Sequence, residues 1–161
     1  MVSDGQITMG QSTIIKNGAK KVRRTGKGQV LVGFAGAAAD ALALFARLEG
    51  KLDEHSGNLE RAVVELAKDW RMDRALRQLQ AMLIVSDKDK SYLLSGTGEL
   101  IQPDEEEPIL AVGSGSNFAL AAARALLRNT PMSAAEIARE AMRIAAEICI
   151  FTNDRLTIEE L

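Results

Sequence analysis

The sequence predicts an α+β fold of two antiparallel sheets with a helix pair outside each. Short apolar runs and helical stretches follow in the order strands, two helices, strands, two helices, strand. Strands do not alternate singly with helices, which argues against a doubly wound parallel sheet. Aromatic residues are only 4% of the 161 and alanine is abundant, so closely packed helices must supply much of the core. The length fits one domain, 1–161, with no internal repeat or low-complexity tract.

The first third reads as strands. Ile14-Ile15 and Val22 are short strand candidates around the Asn17-Gly18 turn signal. Gln29 to Ala35 is a longer apolar run bounded by Gly26 and Gly36. Ala37 to Lys51 reads as helix, and Glu54-His55-Ser56-Gly57 as a turn. Asn58 is a good N-cap for a second helix, whose face is Leu59, Ala62, Val63, Leu66, Ala67 and Trp70. That helix and the turn before it offer more apolar surface than one small domain needs, which predicts self-association.

Ala81 to Val85 and Ser91 to Leu94 form a hairpin pattern around Asp87-Lys-Asp-Lys90. Gly96-Thr97-Gly98 marks another turn. An acidic loop from Gln102 to Pro108 precedes a predicted strand at Ile109 to Val112. Gly113-Ser114-Gly115-Ser116 opens an alanine-rich helix that stops near Asn129, ahead of Pro131. Ser133 and Glu136 form a capping box for the last helix, with Ile137, Ala141, Ile144, Ala145 and Ile148 as its inner face. A short strand at Leu156 to Ile158 ends the pattern.

Lysine plus arginine number 20 against 22 aspartate plus glutamate, a balance that implies no polyanionic partner and no nucleic acid. One cysteine excludes an internal disulfide and suits a reducing, cytoplasmic compartment. No long apolar run or secretory pattern is visible, so no membrane partner is expected. One cysteine and one histidine, His55, cannot make a usual zinc site. The run Asp104-Glu105-Glu106-Glu107 reads as a solvated loop rather than a metal site. On the residues alone, Asp4 is a turn-forming aspartate before Gly5, and Lys20-Lys21 with Arg23-Arg24 is a solvated basic stretch.

Several separated motifs change that reading. They are Asp4-Gly5-Gln6, Lys20-Lys-Val-Arg-Arg24, Val30-Leu-Val-Gly-Phe-Ala-Gly36 with Asp40, Glu65-Leu-Ala-Lys-Asp-Trp-Arg71 and Ile148-Cys-Ile-Phe-Thr-Asn153. In this order they resemble the HslV (ClpQ) family of proteasome-like threonine peptidase subunits, over essentially the whole chain from Asp4. The resemblance implies a four-layer αββα sandwich of the N-terminal-nucleophile hydrolase type. It implies a nucleophilic threonine leading a strand upstream of Asp-Gly-Gln, whose own amine takes the hydroxyl proton. This sequence starts Met1-Val2-Ser3, without that threonine strand, so the chain as written is expected to hydrolyse no peptide. Ser3, Thr8, Ser12 and Thr13 do not replace it.

By motif position, the resemblance makes Asp4 and Lys21 the residues that tune the threonine amine, since an adjacent ammonium disfavours its protonation. Lys21 is chosen over Lys20 because it directly precedes Val22. Ser114 would support the threonine, with the oxyanion region at Gly113 and Gly115. Ser116 stands where the family has glycine, and would either narrow the approach or cap the next helix. Backbone carbonyls of Ala146, Cys149 and Thr152 are implied ligands for a sodium or magnesium ion, with Ala146 in place of the usual glycine. The implied assembly is two stacked hexameric rings, fed with unfolded proteins by an HslU-type ring ATPase. Lys20, Arg23 and Arg24 are candidates to receive that partner's C-terminal carboxylate. The other reading is a catalytically inactive ring-forming subunit or short form. An unrelated enzyme or binding module on the same fold is the third.

Overall fold

The structure is a computed structural model that describes residues 1–10, 12–95 and 98–161. Along the chain lie β1 (Val2–Ser3), β2 (Ile7–Met9), β3 (Thr13–Lys16), β4 (Val22–Thr25), β5 (Val30–Gly36), α1 (Ala38–Glu54) and α2 (Leu59–Met72). They are followed by β6 (Ala81–Ser86), β7 (Ser91–Ser95), β8 (Leu100–Ile101), α3 (Ser116–Asn129), α4 (Ala134–Ile148) and β9 (Thr157–Ile158). The expected order of strands and helices is observed. Contacts divide the chain into two compact units, Met1–Val22 with Asp104–Glu160, and Arg23–Pro103 with Leu161.

The second unit is built on one sheet, ordered β4-β5-β6-β7-β8 and antiparallel from β5 to β8. Ser86 faces Ser91 at the hairpin end. There the Asp87 carboxylate accepts from the amides of Asp89 and Lys90, which fixes the predicted turn. Along α1, Ala41, Leu44, Phe45, Leu48 and Leu52 are buried, the repeat of a single helical face. The helix outruns its expected end by one turn. The Gly57 amide, at φ +81°, then closes it by donating to the Leu52 carbonyl. Asn58 caps α2 as expected, its side chain accepting from the Arg61 amide. The α2 face predicted to drive self-association is instead consumed inside this unit, with Leu59, Ala62, Val63, Leu66 and Trp70 at 2% exposure or less. Of the predicted turn at 96–98, residues 96 and 97 lie outside the described residues, and the Gly98 amide donates to Ser95.

The first unit pairs α3 with α4 around Ala123, Ile137 and Ala141. The Ser133–Glu136 capping box is present, each group bonding the other's backbone amide. Instead of one broad sheet this unit has two short pairs, β1 with β9 and β2 with β3. The strand expected at Ile109–Val112 does not form. A strand exists only where a ladder partner takes its backbone groups, and here the Ile109 amide turns back to the Glu107 carbonyl. Ile148 is not inward as predicted but 54% exposed, because α4 ends there and the next residue is already extended. Ile144 is half-buried. Among the described residues, no helix is long and apolar enough to cross a membrane.

Candidate functional site

The site grows from the Asp4-Gly5-Gln6 turn in the first unit. Asp4 and Gln6 are buried, at 8% and 6% exposure. A carboxylate so placed needs its oxygens satisfied. Lys21 Nζ donates to Asp4 Oδ1 at 2.8 Å, and the Gln6 amide donates to Oδ2 at 2.8 Å. Glycine is required between them, since a Cβ at Gly5 would stand 2.5 Å from the Asn17 carbonyl oxygen. That close approach lets the Ala19 amide donate to the Gly5 carbonyl at 2.8 Å. The turn carrying Asp4 is thereby tied to the segment leading into Lys21. The pair is a lysine ammonium joined to a carboxylate by one charge-assisted bond.

A second turn is set by Gly113 and Gly115. Gly113 adopts φ +101°, a region that favours glycine. A Cβ on Gly115 would lie 2.7 Å from Thr152 Oγ1. Ser114 between them is exposed. Gly115, not Ser116, is the N-cap of α3, and it makes no side-chain cap bond. Ser116 is the first helical residue, so its predicted capping role is not observed. Thr152 precedes Asn153, whose side chain accepts from the Gly5 amide at 3.0 Å. The Gly-Ser-Gly turn and the Asp-Gly-Gln turn thus meet the same short segment, 152–153.

At the end of α4, the Cys149 amide donates to Ala145 and the Thr152 amide donates to the Cys149 carbonyl at 3.0 Å. Cys149 and Thr152 are buried and Ala146 is half-buried. Carbonyl oxygens here are hard, neutral donors at the negative end of a helix, and a carbonyl accepting one hydrogen bond keeps a second lone pair. Neutral oxygens of this kind are donors that suit a hard cation. Among the described residues, no group of three or more His, Cys, Asp or Glu side chains could hold a metal.

The basic residues differ from one another. Lys20 is exposed. The Arg23 guanidinium lies 6.0 Å from the Phe34 ring centre and 5.6 Å from that of Phe45. Arg24 donates to the Gly28 carbonyl at 3.3 Å. His55 is half-buried beyond the end of α1. The acidic loop is held by ion pairs, Asp104 and Glu107 to Arg124 and Glu107 to Arg128. The Arg128 guanidinium holds the Glu107 carboxyl below its usual range.

Sequence reasoning missed Asn153, Asn17 and Gln6 as parts of this site. Asn153 Nδ2 donates to the Asn17 carbonyl at 3.1 Å and to its side-chain oxygen at 3.3 Å. Gln6 Nε2 donates to the Ile150 carbonyl at 2.8 Å. Asn17-Gly18 carried only a turn signal, and nothing in a single sequence marks Asn153 as reaching back across 148 positions.

The family described as proteasome subunit matches residues 1–161. The "ATP-dependent protease subunit HslV" of Thermosipho africanus is 61% identical over 161 residues, covering 100% of this chain and 90% of the relative. That of Brevibacillus brevis is 57% identical over 162 residues, covering 100% and 89%. The crystal structure of eukaryotic HslV from Trypanosoma brucei superposes with a TM-score of 0.93 at 46% identity, covering 98% of this chain and 90% of that one. The chain belongs to the HslV (ClpQ) family of proteasome-like subunits. Its fold is the α+β, N-terminal-nucleophile type expected from the sequence.

Proposed function

We propose that this chain is the peptidase subunit, one domain over 1–161, of a chambered ATP-dependent protease that degrades unfolded proteins. The observation that carries the reading is the Lys21–Asp4 pair at 2.8 Å, partly buried at the Asp-Gly-Gln turn of a family member. The nucleophile is a threonine at the N-terminus of a strand upstream of this turn. Its hydroxyl attacks the peptide carbonyl and its own amine accepts the proton. The tethered Lys21 ammonium keeps that amine unprotonated. Ser114 supports the threonine, and amides of the Gly113–Gly115 turn face the oxyanion.

Subunits assemble as two stacked hexameric rings in the cytoplasm, fed by an HslU-type ATPase. The apolar residues Met9, Ile14 and Ile15, at 68%, 50% and 56% exposure, favour burial in an assembly. Lys20, Arg23 and Arg24 receive the ATPase C-terminus. Ala146, Cys149 and Thr152 offer carbonyls to a cation, which when bound neutralises the negative end of α4.

The test compares the chain as written with one extended by a threonine-led strand, using a small fluorogenic peptide and light scattering. Activity only in the extended chain, abolished by Lys21→Ala or Asp4→Ala, supports the reading. Equal turnover by both overturns the role given to the threonine. Rings that never hydrolyse in either form make this a non-catalytic, ring-forming subunit.

A further inference from the structure

The segment between α4 and β9 turns back onto the Asp4 turn and touches it with two side-chain amides. Asn153 Oδ1 accepts from the Gly5 amide at 3.0 Å, directly after Asp4. Asn153 Nδ2 donates to the Asn17 carbonyl and side-chain oxygen at 3.1 Å and 3.3 Å, ahead of Lys21. One side chain therefore bridges the two segments that present the two members of the ion pair. The Gln6 side chain adds a second strut to the Ile150 carbonyl at 2.8 Å. These contacts add to the Ala19-to-Gly5 backbone bond and to the β2–β3 ladder, which pairs Ile7 with Lys16 and already joins the two segments. Orienting the Gly5 peptide orients the Gln6 amide, which donates to Asp4 Oδ2.

We propose that Asn153 is a positioning residue for the Lys21–Asp4 pair: it clamps the Gly5 peptide to the Asn17 loop and so sets where the Lys21 ammonium stands. This rests on the reading of that pair as the electrostatic partner of the reacting amine. Removing the amide loosens this junction and leaves the Gly5 amide and the Asn17 carbonyl without their side-chain partner. An ammonium displaced by a fraction of an ångström costs turnover far more than it costs substrate binding.

The test has two arms. In the chain as written, NMR amide exchange is followed at Gln6, which Asn153 does not touch. Asn153→Ala speeds Gln6 exchange about 10-fold or more while the amides of α2 keep theirs. In the threonine-extended chain, Asn153→Ala lowers kcat about 10- to 100-fold with KM within about two-fold. Asn153→Asp keeps the acceptor for Gly5 and loses the donors to Asn17, so both readouts fall between wild type and alanine. Unchanged Gln6 exchange and kcat in folded Asn153→Ala overturn the proposal. If alanine prevents folding, unchanged kcat in Asn153→Asp overturns the bridge. Should Lys21→Ala and Asp4→Ala spare hydrolysis, the underlying reading of the pair fails. Should they abolish it while Asn153→Ala does not lower kcat, only the positioning role fails.

Discussion

The two units of this chain are held by different physics. In Arg23–Pro103 the largest fully buried side chains include Trp70, Leu44, Leu48, Leu52, Leu66, Leu83 and Leu94, all apolar. In the unit of Met1–Val22 and Asp104–Glu160 the buried set includes Asp4, Gln6 and Thr152 beside small residues such as Ala123, Ala141 and Ala145. The first kind of interior is stabilised by apolar area removed from water. The second must satisfy each polar group it buries, and does so with a short list of directional bonds. A site that uses charge has to live in the second kind, where the loss of one bond is felt at several others.

The largest expected effect breaks the apolar unit. Trp70→Ala removes the largest fully buried side chain and is expected to cost about 3–5 kcal/mol in chemical denaturation. Trp70→Phe should cost much less. It refills most of the volume and removes an indole N–H that is buried without a hydrogen-bond partner among the described residues. Equal losses for the two variants would mean that volume does not govern this core.

In the polar unit, Lys21→Ala leaves the Asp4 carboxylate, 11% exposed as a side chain, with only its amide donor. The expected cost is about 1–3 kcal/mol, reduced toward the lower figure because the lysine itself is 22% exposed. Replacing both partners, as Asp4→Asn with Lys21→Met, should cost less than Lys21→Ala alone. A double variant less stable than the single would show that the turn needs the charge and not merely the bond.

The same contrast explains what the sequence made legible. The apolar unit announces itself by period. Leu59, Ala62, Val63, Leu66, Ala67 and Trp70 mark one face of α2, Asn58 marks its start, and the Ser86–Ser91 hairpin end follows from the alternation around it. The polar unit is legible only through motif, because Asp4 and Lys21 are unremarkable in composition and 17 positions apart. What failed were features fixed by tertiary partners. Ile109–Val112 has strand composition but no ladder, and the exposed Ile148 follows a helical repeat past the point where the helix stops. Asn153 has no local signature, since its partners are Gly5 and Asn17.

Helix caps offer a smaller and local comparison, because each unit has one cap foreseen from sequence. Asn58→Ala on α2 and Ser133→Ala on α4 should each cost about 1 kcal/mol, measured as faster amide exchange in the first turn of the affected helix. The Ser133 change should cost slightly more, since the Ser133 hydroxyl also donates to the Glu136 carboxylate and that bond is lost with it. A cap loss that spread from α4 to the Gly5 amide, and not from α2, would mark the polar unit as the more cooperative.

The smallest effect is the pH dependence of the exposed ion pairs. Glu107 is held below the ordinary carboxylate range first by its bond to Arg128, and Glu136 likewise by the Ser133 amide. Both carboxyls belong to the polar unit. A carboxyl depressed in the folded state contributes stability that is present above its unfolded pKa, and lost as pH falls through the folded value. Melting temperature should therefore hold near neutrality and decline as the pH drops through and below the ordinary carboxylate range. Glu107→Gln should flatten part of that decline without changing the melting temperature at neutral pH by more than a few degrees. High salt should shrink the contribution further, because the Arg128 partner faces water. If Glu107→Gln leaves the acid slope as steep as in the parent, the acid sensitivity does not come from this ion pair.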